Sequence, residues 1–232
     1  MRTTVTTTVS LRARAAARSF SDLRVGVAVV VVALSAACGQ PQQGVAHGEA
    51  LYKNCAMCHG ADGAGNKELL APAIAGLPQW YIESQLAKFK EGIRGMHFDD
   101  EPGMRMRPMA LALRKEDIPS VAEYVAKMPK QHALRTLDQG RVEHGVALYQ
   151  TCVACHQADG SGMQALNAPP LAGASDFYLR EQLKKFKKGM RGADPRDVTG
   201  AQMRPMTAAL ADDRAIDDVV AYITSLPSKA EN

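Results

Sequence analysis

The sequence has few aromatic residues, few cysteines and no long hydrophobic run. Phe, Trp and Tyr make up 5% of its 232 residues, so something other than aromatic rings must fill the core. Five cysteines are too few for a disulfide scaffold of this size. The apolar run at 25–33 is shorter than the ~20 residues that a permanent membrane-spanning helix needs. Apolar content of 46% and charged content of 22% are ordinary for a globular protein.

The first 37 residues have the pattern of an export signal. Arginines precede the apolar run at 25–33, and small residues then lead to Cys38. A basic region, a short apolar region and small residues before a cleavage site are typical of secretory signals. Cys38 after two alanines resembles a bacterial lipobox, which predicts cleavage and acylation of Cys38. Plain cleavage beside Cys38 and an uncleaved anchor are the alternatives, and each of them also predicts an exported protein.

The positive charge of the sequence belongs to this signal. The segment 1–37 holds five arginines and one aspartate, which accounts for the whole formal net charge of +4. The rest of the chain is formally neutral. The charge balance therefore gives no support to nucleic-acid binding.

The body of the chain is a tandem duplication with an offset of 97 residues. Residues 47–113 align with 144–210 without a gap, and 34 of the 67 aligned positions are identical. Such an offset indicates a duplicated domain and not a short-period solenoid. The predicted organisation is an export signal at 1–37, a tether at 38–46, a domain at 47–130, a linker at 131–142, a domain at 143–228 and a tail at 229–232.

Each half is predicted to be helical. Apolar residues recur at helical spacing within 80–91 and 115–128, and 47–54 predicts a short helix that leads into a cysteine motif. The stretch 62–78 is rich in Gly, Ala and Pro and predicts a loop. No stretch shows the sustained alternation of a strand, so the predicted fold class is all-α. A few short helices bury only a small hydrophobic core, so a unit of this size usually needs a covalent cross-link or a bound group to be stable.

Both halves contain a Cys-x-x-Cys-His motif, which is typical of c-type haem attachment. On a helix the two cysteines lie on one face, so both sulfurs can reach the vinyl groups of one haem. The histidine that follows can then bind the iron. The motif therefore predicts two covalently bound haem c groups, held by two sets of residues: Cys55, Cys58 and His59, and Cys152, Cys155 and His156.

Two other uses of paired cysteines fit the sequence less well. A redox dithiol needs a βαβ context, and no strands are predicted. A zinc site would need its two cysteine pairs much closer together than 97 residues, and it would give the repeated histidine no role. Two haems and one lipobox account for all five cysteines.

The second axial ligand of each iron is predicted to be a methionine. Two methionines in each half keep the offset of the repeat: Met106 and Met203, and Met109 and Met206. Pro108 and Pro205 suit the first turn of a short helix. This predicts that the earlier methionine of each pair lies on irregular chain before that helix, free to point inward. We favour Met106 and Met203 as ligands, with Met109 and Met206 as the alternative.

With these motifs the chain resembles the two-domain, dihaem class I cytochromes c, and most closely the cytochrome c-four group. The resemblance extends over about 47–228, nearly all of the chain after the signal. Four features carry it: the two CxxCH motifs, the segments "PAIAG" and "PPLAG", the helices "YIESQLAKFKEGIRG" and "YLREQLKKFKKGMRG", and the Met-x-x-Met before the last helix. It implies two tandem class I cytochrome c domains, each with a few short helices around a covalent haem.

The resemblance also implies roles for individual residues. The carbonyls of Pro72 and Pro169 are expected to accept a hydrogen bond from the haem-ligating histidines. The spacing to Leu113 and Leu210 selects the earlier methionine of each pair. Two further contacts are expected where the first and last helices of each half cross: Gly48 with Tyr124, and Gly145 with Tyr222.

An iron with histidine and methionine ligands has no open position, so the sequence predicts an electron carrier and not an enzyme. The expected donor is a quinol-oxidising complex or a periplasmic dehydrogenase, and the expected acceptor is a terminal oxidase. The expected location is the bacterial periplasm, tethered to the membrane through lipidated Cys38. The alternatives are a cytochrome subunit of a periplasmic oxidoreductase, a dihaem peroxidase and a gas sensor.

One basic surface is a further hypothesis. The lysine patch, defined as the cations on and just after one helix of the second half, could attract an acidic partner by electrostatic steering. Its members are Lys184, Lys185, Lys187, Lys188 and Arg191.

Overall fold

The computed structural model describes residues 43–131, 135–138 and 140–227. The predicted export signal at 1–37 and Cys38 lie outside the described residues, so export, cleavage and acylation stay predictions. Within the described ranges the structure is helical, and its only β-type contacts are two isolated bridges, Asn66 with Ala71 and Met163 with Ala168. The same part of the chain contains no helix with the length and apolarity to cross a membrane.

The first half contains four α-helices. They are α1 (Val45–His59), α2 (Gln79–Lys90), α3 (Glu101–Ala112) and α4 (Ile118–Ala126), and a 3₁₀ turn at Lys115–Asp117 leads into α4. The helix expected at 47–54 continues through the cysteine motif to His59.

The second half repeats this order with one break. Its helices are α5 (Val142–Tyr149), α6 (Val153–His156), α7 (Asp176–Lys187), α8 (Val198–Ala208) and α9 (Asp213–Ser225), with a 3₁₀ turn at Gln164–Leu166. The single helix α1 of the first half corresponds to two helices here, α5 and α6.

The first and last helices of each half cross at a glycine. A Cβ atom on Gly48 of α1 would lie 2.0 Å from the Ser120 carbonyl oxygen and 2.8 Å from Cβ of Tyr124. A Cβ atom on Gly145 of α5 would lie 2.7 Å from Cβ of Tyr222. No side chain fits these gaps, which confirms the two glycine–tyrosine contacts and explains why both halves keep glycine there.

A small hydrophobic cluster lies beside each crossing. In the first half its buried members are Tyr52, Ala75, Val121, Val125 and Met128. In the second half they are Tyr149, Leu179, Leu210, Ile216, Val219, Val220 and Ile223. The first cluster is smaller and includes an alanine, so the first half has less apolar packing of its own.

The local structure around the methionines differs from the prediction. Pro108 lies inside α3 and Pro205 inside α8, so neither proline begins a helix, and Met106 is on a helix instead of irregular chain. The helix starts earlier because the side chain of Asp100 accepts a hydrogen bond from the Gly103 amide and caps its N-terminus. Pro108 then lacks the amide for one backbone hydrogen bond, and its ring crowds the carbonyl of Met104, a cost that the helix bears in its interior.

Candidate functional site

The cysteine motif of the first half lies in the last turn of α1. Cys55 is half-buried and Cys58 is exposed, while His59 is buried. The ring nitrogen Nδ1 of His59 lies 2.8 Å from the carbonyl oxygen of Pro72. Burial lowers the pKa of His59, against the opposing effect of that carbonyl. A neutral imidazole that donates from Nδ1 leaves the lone pair of Nε2 free to bind a metal.

The second half has the same arrangement at the end of α6. Cys152 is half-buried, Cys155 is exposed and His156 is buried. Nδ1 of His156 lies 2.9 Å from the carbonyl oxygen of Pro169, and burial lowers the pKa of this histidine as well. Two histidines are therefore fixed in one orientation by the same kind of carbonyl contact.

The first cysteine of each pair lacks the electrostatics of a redox dithiol. Burial raises the pKa of the Cys55 thiol, and the nearby Cys58 adds to the effect. Burial also raises the pKa of Cys152, despite a hydrogen bond with Thr151 that lowers it. Reactive dithiols need a lowered thiol pKa. These cysteines suit covalent attachment of a group better than thiol–disulfide exchange.

A cavity of about 240 Å³ opens beside His59 and continues to the second half. Leu86 and Met106 are among its apolar lining residues from the first half, and Phe177 and Tyr178 contribute from the second. An apolar cavity beside paired cysteines and a neutral histidine fits the macrocycle of a haem.

Two buried arginines provide positive charge that could pair with the propionate groups of a haem. Burial lowers the pKa of Arg191, and the neighbouring charge of Arg94 lowers it further. Nε of Arg94 and Nε of Arg191 are buried, and neither has a hydrogen-bond partner among the described residues. Positive groups that are buried in this way require anions nearby. The propionates of a haem in each half would supply them.

The methionines differ in exposure. In the first half both Met106 and Met109 are half-buried and line the cavity. In the second half Met203 is half-buried, whereas Met206 is 44% exposed. In the second half the exposure therefore favours Met203 over Met206 as the candidate iron ligand. In the first half it does not distinguish Met106 from Met109.

The contact surface between the halves, which we call the seam, is formed by α2, α7 and the loops after them. Gln85 accepts hydrogen bonds from Arg94 at 2.7 Å and from Arg191 at 3.3 Å. Gln182 accepts from Arg191 at 2.7 Å and from Arg94 at 3.2 Å. Each arginine thus bridges its own half and the other half.

Two ion pairs also cross the seam, and the sequence prediction missed them. Lys88 pairs with Asp197 at 2.6 Å, and Lys185 pairs with Asp100 at 2.6 Å. Both aspartates are buried. The sequence signal for these ion pairs was the repeat, because Lys88 recurs as Lys185 and Asp100 recurs as Asp197.

The structure contradicts the lysine patch. Lys185 and Arg191 are buried in the seam. Lys184 pairs with Asp213 at 2.7 Å, and Lys187 donates to backbone carbonyls just after α8. Lys188 is exposed. Four of the five cations are therefore buried or engaged in contacts within the protein, so the patch is not a continuous free surface for an acidic partner.

The repeated histidines outside the motifs join the first and last helices of each half. Nε2 of His47 lies 2.9 Å from Asp117, and Nδ1 of His144 lies 2.9 Å from Asp218. Asp117 also receives two hydrogen bonds of 2.8 Å from Arg114. These contacts hold the helix crossing and do not involve the cavity.

Asp117 is expected to make the stability of the protein depend on pH. Its hydrogen bonds from Arg114, and to a lesser extent its contact with His47, hold its pKa well below the ordinary range despite burial. A pKa lower in the folded than in the unfolded state stabilises the fold above about pH 4, and this contribution is lost as the pH falls further. Asp117→Asn should lower the free energy of unfolding at pH 7 by about 1–3 kcal/mol.

Urea unfolding of the holoprotein between pH 7 and pH 2 measures this effect. The stability of Asp117→Asn should fall less steeply below about pH 4 than that of the unmodified protein. Glu116→Gln, at the exposed neighbouring position, is the matched control and should change little. Parallel pH profiles for Asp117→Asn and the unmodified protein would contradict the assigned role.

Paired cysteines and a carbonyl-bound histidine recur in two helical units, and an apolar cavity lies beside the first of these histidines. Together these features define tandem c-type cytochrome domains. The family model for cytochrome c matches residues 45–129 and 142–227. The chain therefore belongs to the cytochrome c family. It is a dihaem electron-transfer protein with two covalently bound haem c groups.

Relatives and solved structures support this assignment. The thiosulfate dehydrogenase electron acceptor of Stutzerimonas stutzeri is 32% identical over 88% of this chain and 94% of its own length. The structure of Acidithiobacillus ferrooxidans cytochrome c4 has a TM-score of 0.61, with 28% identity, over 75% of this chain and 99% of that one. Thiosulfate dehydrogenase TsdBA from Marichromatium purpuratum has a TM-score of 0.65 and 29% identity, over 79% of this chain and 40% of that chain.

Proposed function

We propose that Cys55, Cys58 and His59 hold one haem, with Met106 as the second axial ligand. The equivalent residues of the second half hold the other haem: Cys152, Cys155, His156 and Met203. The observation that carries this proposal is the repeated contact between a buried histidine and a proline carbonyl, directly after two cysteines on one helix face. When bound, each haem accepts and releases one electron at its iron.

The protein contributes orientation, charge and exclusion of water. The carbonyls of Pro72 and Pro169 fix the histidine rings and keep the proton on Nδ1. Arg94 and Arg191 offer buried positive charge at the seam that would pair with the propionates of bound haems. A methionine thioether raises the reduction potential and leaves no open iron position. This favours electron transfer over the peroxidase and gas-sensor alternatives.

Visible and far-red absorption of the purified holoprotein tests the ligand set. A pyridine haemochrome assay should give two c-type haems per chain, and the oxidised protein should show the far-red band of methionine bound to ferric iron. Carbon monoxide should leave the reduced spectrum unchanged. A missing far-red band or a carbon monoxide shift would mean an open iron, and the peroxidase or sensor alternative would replace this proposal.

We also propose a periplasmic dehydrogenase as the electron donor and a terminal oxidase as the acceptor. The full-length similarity to a thiosulfate dehydrogenase electron acceptor supports a dehydrogenase over a quinol-oxidising complex. Stopped-flow reduction of the oxidised protein by purified thiosulfate dehydrogenase with thiosulfate tests this choice. Reduction that is slow with that enzyme and fast with a quinol-oxidising complex would overturn it.

We propose that the carrier works in the periplasm and is held at the membrane through lipidated Cys38. The signal-like segment 1–37 and the small residues before Cys38 support this location. Membrane tethering would keep the carrier near membrane-bound partners. The mass of the mature N-terminal peptide distinguishes an acylated Cys38 from plain cleavage.

A further inference from the structure

The helices that carry the methionines are capped by aspartates that pair with the opposite half. Asp100 accepts a hydrogen bond of 3.0 Å from the Gly103 amide at the start of α3. The same oxygen, Oδ1, lies 2.6 Å from Nζ of Lys185 in the second half. The N-terminus of α3 is therefore fixed by a carboxylate whose position depends on the other half.

The arrangement is reciprocal. Asp197 accepts a hydrogen bond of 3.0 Å from the Gly200 amide at the start of α8. Its Oδ1 lies 2.6 Å from Nζ of Lys88 in the first half. Burial opposes ionisation of Asp197, yet the contacts with Lys88 and with the Gly200 amide hold its pKa below the ordinary value. Asp197 is therefore held in place as a buried anion.

Each capping carboxylate lies close to the glycine whose amide it accepts from. A Cβ atom on Gly103 would lie 2.2 Å from Oδ2 of Asp100, and one on Gly200 would lie 2.1 Å from Oδ2 of Asp197. A side chain at either position would displace the carboxylate, so the cap needs glycine three residues later in both halves.

The other end of each methionine helix is held from within its own half. Lys90 donates to the carbonyls of Leu111 at 3.2 Å and Leu113 at 2.5 Å, just before and after the end of α3. Lys187 donates in the same way to the carbonyls of Leu210 and Ala211 after α8. Two lysines on one helix thus act on different halves. Lys90 holds the first methionine helix, and Lys88 holds the second.

We propose that Lys88 and Lys185 are positioning residues for the axial methionine of the opposite half, an inference that rests on the methionine ligation proposed above. Each lysine fixes the capping aspartate, the aspartate fixes the first turn, and that turn leads the helix that carries the methionine of the same half. Docking of the halves and methionine ligation are therefore coupled. The coupling acts in both directions, because anything that loosens one methionine helix also loosens an ion pair of the seam.

Loss of one lysine should affect the distant methionine more than the near one. Lys88→Met keeps the volume of the side chain but leaves the Asp197 carboxylate buried without its counterion. A buried charge of this kind must move towards water or take up a proton. Either change weakens the cap of α8, so Met203 should lose its fixed position while Met106 keeps its own.

Proton NMR of the reduced holoprotein resolves the two haems. Each axial methionine gives a methyl resonance shifted by the haem ring. Nuclear Overhauser contacts with the thioether cysteines assign each resonance to its half, because Cys55 precedes Ala56 and Cys152 precedes Val153. This assignment does not depend on which methionine of a pair is the ligand.

The matched variants are Lys88→Met and Lys90→Met. Lys88→Met should shift or broaden the methyl resonance of the second half, and Lys90→Met that of the first half. The mirror pair should behave oppositely, with Lys185→Met acting on the first half and Lys187→Met on the second. If Lys88→Met does not fold, Lys88→Gln removes the positive charge and shortens the side chain that reaches Asp197, and the same shift is expected.

Three results would overturn the inference. The first is that Lys88→Met perturbs the methyl resonance of the first half as strongly as that of the second. The second is that Lys88→Met and Lys185→Met both leave the methyl resonance of the opposite half unchanged. Absence of both methyl resonances from the unmodified protein would overturn the methionine ligation as well. That last failure is seen before any lysine is changed, so it is distinguishable from failure of the crossed positioning alone.

Discussion

Replacing Cys55 and Cys58 with serine is expected to yield a protein with one covalent haem and an unfolded first half. The hydrophobic cluster of that half has few buried members, and an alanine is one of them. The cavity beside His59 would stay open to water without a covalently held haem. The lost apolar contacts should remove most of the stability of this half, on the order of 5 kcal/mol.

The haem content, the mass of the purified chain and the far-ultraviolet circular dichroism measure this outcome. The mirror variant, Cys152→Ser with Cys155→Ser, is the matched control. It should also lose one haem but keep more helix, because the cluster of the second half is larger. Two covalent haems in the first variant, or one haem with undiminished helix content, would contradict this account of how the first half is held together.

Much of the fold could be predicted because its signals are local or repeated. The offset of 97 residues separates the two units, and apolar periodicity places α2, α4 and their counterparts. The cysteine motifs restrict the chemistry to haem attachment, because the spacing and the histidine occur together twice. The glycine–tyrosine crossings followed from the family resemblance and are confirmed by the close approach at Gly48 and Gly145.

The start of the methionine helices could not be predicted from proline preference alone. Pro108 suits a first turn, but the cap of Asp100 on Gly103 begins the helix well before it. A capping aspartate is a weak signal in a loop that contains several acids. The stabilising partner of the cap, Lys185, belongs to the other half and is distant in sequence. The preference of proline for the first turn was therefore overridden by a cap that a tertiary contact stabilises.

The seam could not be predicted from the sequence because it is also formed by residues that are distant along the chain. A helix with several lysines normally lies on the surface, so the sequence favoured a solvated or partner-binding face. Lys88 and Lys185 are paired inside because the repeat places an aspartate opposite each of them. Both members of each ion pair recur at the offset of the repeat, Lys88 as Lys185 and Asp100 as Asp197, but so do charged residues outside the seam such as Asp62 and Asp159. Recurrence alone therefore could not locate the seam.

Met203→His is expected to lower the reduction potential of the second haem by a few tenths of a volt, part of the ~0.8 V range that axial ligands set. A methionine thioether stabilises ferrous iron, and replacing it with an imidazole favours the ferric state. Met203 is half-buried, and it lies on α8 one turn before the exposed Met206. The potential of the first haem should change much less.

Spectroelectrochemical titration of the holoprotein measures both potentials, and Met206→His is the matched control. Because Met206 is 44% exposed, its replacement should leave both potentials and the far-red band nearly unchanged. In the first half, Met106→His and Met109→His form the corresponding pair, and only the former should lower a potential. A large fall with Met206→His or Met109→His would transfer the ligand role to the later methionine. The crossed arrangement of lysines and aspartates would still hold in that case, because both methionines of each pair lie on the same helix.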